Sequence, residues 1–334
     1  MTLTICTLDE FNAEIEAIGA GVPDADGHKR LSMMTVHHPA ADEMNRLDPF
    51  SQAYRDAALG LYLDLRGRPG EGYEPARDEK SNGLVPADLF SGVSPWGFQD
   101  TAMVAEFLES WAQILRAMAL PANSNAKILE YGPGSGQLLL MLARMGLRAH
   151  GVDIDQASLD SLLLQAEAMG LKLRTERAEF GEGFADERFD RIFFFEAFHH
   201  AFDFEALLRR LQDRLNPGGR LIFCGEPVVT VSQSGIPYPW GPRLDALSVF
   251  CTRRWGWMEL GFTHDFFMEA LRRNGWYAEF SHPPNCGRAW TYVAQRLIDR
   301  PAENSETPPP PPLIATPPSL LDRAVRKLRR ITGL

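Results

Sequence analysis

The sequence lacks several features that would assign it to a common class of protein. Only 4 of its 334 residues are cysteines, and Cys6, Cys224, Cys251 and Cys286 are scattered without a Cys-x-x-Cys pair. This spacing argues against a disulfide framework and indicates reduced thiols in a core. No apolar run is long enough to span a bilayer. The first residues lack a basic region followed by an apolar one, which predicts a cytoplasmic protein.

An excess of basic charge is also missing. The chain has 34 Lys and Arg against 44 Asp and Glu, a formal net charge of −10, which argues against a general nucleic-acid binder. The pair His37-His38 has no cysteine or clustered acids beside it, so we predict a surface pair and no metal site. What is present is the composition of a globular protein, with 45% hydrophobic residues, enough for one large α/β domain with additions.

The most informative stretch is residues 127–137. A short apolar run ends in Glu130-Tyr131 and is followed by glycines at alternate positions, Gly132, Gly134 and Gly136, before an apolar helical segment. This pattern predicts a buried strand, a tight turn and a helix, a layout in which backbone N–H groups face a ligand. Glycines remove Cβ atoms where a ligand must touch the main chain.

Three details narrow the kind of ligand. The Gly-x-Gly-x-Gly spacing differs from the Gly-x-Gly-x-x-Gly of a dinucleotide loop. The acid Glu130 is unfavourable beside a diphosphate but suits an ammonium group. A second predicted strand, residues 147–152, ends in Asp153, where a carboxylate can accept both hydroxyls of a ribose. Together these features resemble class I S-adenosylmethionine (SAM)-dependent methyltransferases. A NAD-dependent Rossmann oxidoreductase and a catalytically inactive partner protein with the same fold remain alternatives.

The resemblance implies SAM as the cofactor and a set of residues that bind it. These residues follow the first four strands: Glu130, Gly132, Gly134, Gly136, Asp153, Ile154, Glu179, Phe180 and Glu196. The Asp-Ala pair that the family usually carries after its third strand is missing. Arg177-Ala178-Glu179-Phe180 stands there instead, so we expect Glu179 to replace the acid and Phe180 to stack on the adenine.

Predicted strands and helices alternate from Asp100 to Leu297, as a parallel, doubly wound sheet requires. The resemblance implies an α/β, Rossmann-like sheet of seven strands with the last one antiparallel. We expect a partly helical N-terminal extension on the substrate side (1–99), followed by the methyltransferase domain (100–300). Within that domain, an aromatic lid or substrate insertion follows the fifth strand (226–262). A proline-rich linker (301–318) and a basic amphipathic helix (319–334) come last. Within these regions the pattern predicts helices at 9–18, 48–63, 100–118, 156–169, 204–215 and 264–274.

Candidate catalytic residues follow the fourth and fifth strands. An alcohol acceptor must lose a proton as its bond to the methyl group forms, which requires a positioned base. Because the carboxyl ends of parallel strands meet at one edge of a sheet, His199, His200 and Glu226 are expected to face the same site. An imidazole titrates near neutrality, so His200 is the first candidate, with His199 and Glu226 as alternatives.

The insertion supplies candidate substrate residues. Aromatic faces stack on the C–H faces of sugars and charged groups bind hydroxyls, so we expect Tyr238, Trp240 and Arg243 to bind a carbohydrate. A lid or an oligomer contact without a substrate role is the alternative. Residues 196–200 and the Gly-Glu-Pro…Tyr-Pro-Trp-Gly segment resemble bacterial methyltransferases of surface-polysaccharide synthesis. This resemblance implies O-methylation of a sugar hydroxyl in a surface glycan or its precursor, with a small secondary metabolite as the other acceptor class.

The last predicted element is the segment 319–334. Its apolar residues share one helical face, and its five basic residues lie opposite: Leu320, Leu321, Ala324, Val325, Leu328 and Ile331 against Arg323, Arg326, Lys327, Arg329 and Arg330. Such a helix binds either an anionic membrane surface or an acidic protein partner. The expectation is a cytoplasmic enzyme held peripherally at the inner membrane, with a solvated basic tail as the alternative.

Overall fold

A computed structural model describes residues 4–19, 23–80, 85 and 87–299. The predicted proline-rich linker and amphipathic helix therefore lie outside the described residues. Within the described ranges, every helix is too short or too polar to cross a membrane.

The helices and strands follow one another along the whole described chain. The helices are α1 Leu8–Ile18, α2 Ala25–Leu31, α3 Pro39–Met44, α4 Gln52–Arg66, α5 Pro75–Asp78, α6 Thr101–Met118, α7 Gln137–Arg144, α8 Gln156–Ala168, α9 Phe204–Gln212, α10 Ala246–Trp255 and α11 His264–Arg273. The strands are β1 Thr4–Cys6, β2 Met34–Val36, β3 Lys127–Tyr131, β4 Arg148–Asp153, β5 Leu173–Arg177, β6 Phe189–Phe195, β7 Leu215–Cys224, β8 Val228–Val229, β9 Trp240–Pro242, β10 Leu260–Thr263, β11 Trp276–Ser281 and β12 Thr291–Arg296.

The central sheet has seven strands in the spatial order β11-β12-β7-β6-β3-β4-β5. Strands β5, β4, β3, β6 and β7 are parallel, and β12 runs antiparallel to both of its neighbours. The prediction of a Rossmann-like, seven-stranded α/β sheet with its last strand antiparallel is confirmed. Strand β3 is apolar because it lies at the centre of the sheet with both faces covered, as parallel strands generally are.

Most predicted elements form with small shifts at their ends, and the largest difference lies before β7. The predicted helix 204–215 ends at Gln212, and Leu215 already pairs with Phe189 in the sheet. Residues 216–219 form an irregularity in β7, where the Asn216 amide donates to the Asp190 carboxylate over 2.8 Å. The Asn-Pro-Gly-Gly run therefore marks a bulge inside a strand and does not end the helix.

The N-terminal extension shares its core with the insertion and with one face of the sheet. Side chains from α4, the insertion and the sheet belong to one continuous apolar cluster. The Tyr54 hydroxyl donates to the Trp240 carbonyl over 2.6 Å, and the Trp240 indole N–H donates to the Pro49 carbonyl over 2.8 Å. The insertion itself forms α10 and a three-stranded sheet in the order β8-β10-β9. These contacts place the extension over the carboxyl edge of the central sheet.

A buried ion pair shapes the segment that follows α4. The guanidinium of Arg66 lies 2.9 Å from the Asp78 carboxylate, and both side chains are fully buried. Arg66 also donates to the carbonyls of Glu71 and Gly72, so it folds residues 67–78 back on the helix. Glu79 follows directly after α5 at the end of this segment.

Candidate active site

A cavity of about 310 Å³ opens at the carboxyl ends of β3, β4 and β6. Open α/β sheets bind their ligands at this edge. One end of the cavity, called here the cofactor end, is formed by residues that follow the sheet strands. The other, the acceptor end, is formed by α9, the turn after β6, the N-terminal extension and the insertion.

Seven of the nine residues predicted to bind the cofactor line the cofactor end. They are Gly132, Gly134, Asp153, Ile154, Glu179, Phe180 and Glu196. The ring of Phe180 packs against that of Phe194 at 90°, and this contact fixes the orientation of the Phe180 ring. The sequence motif and the strand ends therefore converge on one wall, as the parallel sheet requires.

The glycine loop needs glycine for two different reasons. Gly134 has φ +51°, and a Cβ atom there would meet no other atom within 4 Å, so its backbone stands open to the cavity. Gly136 caps α7 with φ +69°, and its Cβ would lie 2.3 Å from the Leu162 side chain. Gly136 therefore allows α8 to pack against the loop and does not line the cavity.

The carboxyl groups of Glu130 and Asp153 lie near this loop and interact with each other. Glu130 is buried one layer behind the cavity wall, and its Oε2 has no hydrogen-bond partner among the described residues. Burial, with the nearby Asp153 carboxylate, raises the pKa of Glu130 to about 8. Burial also raises the pKa of Asp153 to about 6, against the backbone N–H groups that stabilise its ionised form. An unpartnered buried carboxyl group is costly unless a ligand pairs with it.

These residues fit SAM. The cofactor carries an ammonium group for Glu130, a ribose whose two hydroxyls suit Asp153, and an adenine that would lie against Phe180 and Ile154. The bare backbone at Gly134 lets the ligand approach the main chain. The donor set, acidic and without a phosphate-binding side chain on the loop, suits a cation better than a diphosphate.

Most residues of the acceptor end were not predicted from the sequence. Its walls include Tyr73 and Glu79 from the N-terminal extension, Phe202 after β6 and Trp257 from the insertion, together with His200. Tyr73 and Glu79 lie in a glycine- and charge-rich stretch that carries no motif. Trp257 belongs to the aromatic insertion, and that composition was the only signal that pointed to it.

His200 is the one predicted catalytic residue that lines the cavity. Its Nδ1 lies 3.1 Å from Oε2 of Glu79 in an ion pair. Burial alone would lower the pKa of His200, but the Glu79 carboxylate, with Glu259 and Glu226 behind it, raises the pKa to about 9. The Nδ1–Glu79 contact leaves Nε2 as the other ring nitrogen of His200.

His199 and Glu226 lie below the cavity and are engaged with each other. The Glu226 carboxylate accepts the backbone N–H groups of Ala197, Phe198 and His199 at 3.0–3.1 Å and faces His199 Nδ1 at 2.8 Å. Burial raises the pKa of Glu226 to about 7, and burial lowers that of His199 well below its usual value. Neither side chain lines the cavity, because Glu226 holds the turn that carries His200 and His199 faces Glu226; the choice of base among the three stays a prediction.

The guanidinium of Arg243 lies beside the buried carboxylate of Glu259. Ligand-type atoms of His199, His200 and Glu259 all lie within 4.8 Å of one another, a spacing that could hold a metal ion. However, Arg243 Nη2 already lies 2.5 Å from Glu259 Oε2. Although burial acts in the other direction, Arg243 holds the pKa of Glu259 below its usual value. We therefore assign the cation at Glu259 to Arg243 and not to a metal.

The three residues predicted to bind substrate lie outside the cavity wall. Tyr238 and Trp240 are completely buried in the shared core, and Arg243 is committed to Glu259. The Trp240 ring packs against Tyr54 and Phe204, because the insertion is the layer that joins the extension to the sheet. The expectation for Tyr238, Trp240 and Arg243 is corrected: the first two join the layers, and Arg243 neutralises a buried carboxylate.

Glu196 stands at the border between the two ends of the cavity. It follows β6 in the left-handed region, with φ +51°, and forms an ion pair with Arg288. Arg288 lies over the Phe107 ring, 4.6 Å from its centre, and so ties the loop before β12 to α6. The pair neutralises Glu196 from outside the cavity.

A family model and several known proteins match this part of the chain. Residues 129–223 match the family model described as "Methyltransferase domain". A ubiquinone biosynthesis O-methyltransferase of Chelativorans sp. is 33% identical over 95 residues, which cover 28% of this chain and 37% of that protein. A SAM-dependent Diels-Alderase of Talaromyces variabilis is 34% identical over 108 residues, covering 31% and 36%. Each match therefore spans little more than a third of the curated relative's length.

Among solved structures, a SAM-dependent methyltransferase from Clostridium acetobutylicum aligns with 60% of this chain and 96% of its own. The two are 12% identical, with a TM-score of 0.44.

Proposed function

The chain carries the methyltransferase domain of class I SAM-dependent enzymes, and on that premise we propose that it transfers a methyl group from SAM to a hydroxyl of an uncharged acceptor. The observation that supports this proposal is the single cavity. Its cofactor end contains the glycine loop and Asp153, and its acceptor end contains His200. Cofactor and acceptor would therefore meet in one enclosed space.

SAM supplies an activated methyl group when it is bound, so the protein has to align the acceptor and remove its proton. Gly134 and Asp153 would hold the cofactor, and Phe180 would lie beside its base. His200 takes the acceptor proton at Nε2. Glu226 fixes the turn after β6 through three backbone N–H groups, which keeps the imidazole at the cavity.

The charge of the cavity supports an uncharged acceptor. Six carboxylate side chains line it, against one guanidinium and His200: Glu79, Asp153, Asp155, Glu179, Glu196 and Asp203, against Arg210. Such a wall attracts the cationic cofactor and repels an anionic acceptor. We propose a sugar hydroxyl of a glycan or its precursor as the acceptor, since the rings of Tyr73, Phe202 and Trp257 can stack on a sugar face. A phenol or another hydroxyl of a small secondary metabolite is the second candidate, because the same rings stack on an aromatic acceptor.

Calorimetry with SAM and with NAD, followed by transfer assays with methyl-labelled SAM, tests the proposal. We expect binding of SAM but not of NAD, and label on neutral hydroxyl acceptors but not on carboxylated or phosphorylated analogues of the same size. Sugars and phenols tested side by side distinguish the two acceptor classes. Binding of NAD without SAM would overturn the cofactor assignment, and transfer to acidic acceptors only would overturn the acceptor class.

We further propose that the segment 319–334 attaches the enzyme reversibly to an anionic membrane surface. The separation of its apolar and basic residues in the sequence supports this proposal. An acceptor built on a lipid carrier would make such attachment useful.

A further inference from the structure

We propose that Glu79, from the N-terminal extension, is a positioning residue for His200, fixing its ring and holding the positive charge that it acquires. The inference rests on the proposed function, because it concerns the residue to which that function assigns the acceptor proton. It gives the extension, which lies outside the matched methyltransferase domain, a direct part in the reaction.

The contacts of Glu79 are those of a carboxylate fixed in one orientation. Its Oε1 accepts the Tyr73 hydroxyl at 3.0 Å and the Met258 backbone N–H at 2.8 Å. Its Oε2 lies 3.1 Å from His200 Nδ1, an ion-pair contact outside hydrogen-bond geometry. The carboxylate is nearly inaccessible, with 9% of its side chain exposed, whereas the His200 side chain is 22% exposed on the cavity. Glu79 therefore points its second oxygen at the imidazole from behind.

The backbone that carries Glu79 is anchored independently of the site. The Asp78 carboxylate is held by Arg66 and also accepts the Glu74 backbone N–H over 2.9 Å. The Tyr73 hydroxyl lies 3.2 Å from the His200 carbonyl, which connects the same segment to the turn after β6. The two neighbouring acids therefore have different roles: Asp78 fixes the segment, and Glu79 faces the cavity.

His200 is surrounded by an excess of buried negative charge. Glu79 lies beside it from the extension, Glu226 from the turn after β7 and Glu259 from before β10, with Arg243 pairing only the last of these. His199 lies against it, with ring centres 4.3 Å apart, and its pKa is lowered. The same cavity is also lined by Glu196 and Asp203, each with an arginine partner, and by Arg210, Asp153, Asp155 and Glu179. A proton on His200 would place a positive charge beside the Glu79 carboxylate in the free protein.

The reaction keeps that positive charge in the cavity. The acceptor oxygen forms a bond to the methyl carbon, the S–C bonding pair remains on sulfur, and the acceptor proton moves to His200 Nε2. The products are the methylated acceptor, neutral S-adenosylhomocysteine (SAH) and an imidazolium paired with Glu79. The positive charge thus passes from sulfur to the imidazole that Glu79 faces.

Binding of a cation should then displace the proton from His200. Two unit charges about 10 Å apart, at an effective dielectric constant of about 20, alter a proton affinity by more than tenfold. The sulfonium of SAM would therefore release the proton that Glu79 retains in the free protein, which converts His200 into a base. SAH has the same shape without the methyl group and its charge, so it is the matched control ligand.

Calorimetry of the full chain in buffers of different ionisation enthalpy measures this proton release. At pH 8–9 we expect SAM to release more protons than SAH, with the difference vanishing above about pH 10, where His200 is already neutral. Glu130, whose pKa lies at about 8, is buried behind the cavity wall and would respond to the ammonium group that both ligands share, so the difference between SAM and SAH isolates the effect of the sulfonium charge. Equal release by SAM and SAH in the wild-type protein overturns the inference.

The Glu79→Gln variant tests the residue itself. It should abolish the SAM–SAH difference, lower kcat about 10-fold to 100-fold, and move the rise of kcat/KM with pH to lower pH by more than one unit. Glu79→Asp, which keeps the charge, should retain the wild-type pH profile. The matched control Glu187→Gln, in an ion pair with Arg174 at the opposite edge of the sheet, should change neither measurement.

An unchanged SAM–SAH difference or pH profile in Glu79→Gln would assign Glu79 a structural role only and overturn the inference. If Glu79→Gln does not fold, a shifted profile in Glu79→Asp with normal SAM affinity also overturns it. Failure of the wild-type protein to bind SAM would instead contradict the proposed function.

Discussion

The two ends of the cavity are built in different ways. At the cofactor end, the glycine loop and the residues after β4, β5 and β6 come from strands that are adjacent in the sheet. At the acceptor end, Glu79 and Trp257 are separated by 178 residues and meet only because the extension packs on the insertion, where the Met258 N–H reaches Glu79. The first end follows from local sequence and topology, and the second follows from tertiary packing.

This difference teaches where a function can vary within one fold. The cofactor end depends on backbone conformation, such as the positive φ of Gly134, and on a carboxylate at a strand end. The acceptor end depends on side chains contributed by layers added to the sheet. Replacement of the extension or the insertion would change the acceptor and the base environment while leaving cofactor binding intact.

The largest expected effect is a loss of methyl transfer when the acceptor end is changed, with cofactor binding retained. His200→Gln should lower the methyl-transfer rate by about 10²–10⁴-fold, because the acceptor proton loses its base. SAM affinity, measured by calorimetry at a pH where His200 is neutral, should change less than about threefold. His28→Gln, on the exposed surface of α2, is the control that should retain full activity. Near-normal turnover of His200→Gln would mean that His199 or Glu226 is the base, or that the acceptor needs none.

The next effect concerns the scaffold of the acceptor end. Arg66→Met removes the fully buried partner of the Asp78 carboxylate, which keeps its contacts with Arg77 and with the Glu74 backbone N–H, so we expect a loss of about 1.5–3 kcal/mol of unfolding free energy. Arg174→Met, which removes an exposed pair with Glu187, should cost less than about 1 kcal/mol. Denaturant unfolding compares the two variants. Similar small losses in both would show that Arg66 does not hold the segment carrying Glu79.

The cofactor end can be tested by its ribose acid. Asp153→Ala removes a carboxylate expected to accept two hydroxyls, and hydrogen bonds to charged groups contribute about 1.5–3 kcal/mol each. SAM affinity should fall at least tenfold. Because the pKa of Asp153 is raised to about 6, wild-type affinity should hold above that pH and weaken as pH falls through it and the carboxylate protonates. Unchanged affinity in a folded variant, or a pH-independent affinity down to pH 5, would contradict the assignment of Asp153.

The same comparison explains how much the sequence could predict. Alternation of strands and helices gave the sheet, and the glycine spacing with Asp153 gave the cofactor end, because both depend on residues close in sequence or on adjacent strand ends. Two cofactor candidates, Glu130 and Gly136, do not line the cavity: the Glu130 side chain is buried within β3, and Gly136 caps α7 where α8 packs against the loop. The role of Glu79 could not be predicted, because nothing near it in sequence marks the partner, His200, that it meets.

Aromatic composition was misleading in the insertion for a related reason. Trp240 and Tyr238 are the side chains that a new layer needs for its own core, and the apolar environment of Phe204 and Tyr54 buries them. Trp257, from the same insertion, faces the cavity and donates its indole N–H to the Lys80 carbonyl over 3.0 Å. Composition therefore identified the insertion as part of the site but not which ring reaches it.

The smallest expected effect concerns the segment 319–334, which lies outside the described residues. Basic residues near anionic lipid contribute about 1 kcal/mol each, and the aliphatic face adds partial burial, so attachment should be reversible and weakened by salt. Removal of residues 307–334 should leave SAM affinity and turnover of a soluble acceptor unchanged while abolishing sedimentation with anionic vesicles at low salt. Replacement of the five basic residues by glutamine is the matched control for charge, and neutral vesicles are the control for lipid. If the full-length protein does not sediment with anionic vesicles, the membrane proposal is wrong. An acidic protein partner would then be the better explanation of the basic face, because the same charges would contact carboxylates instead of lipid headgroups.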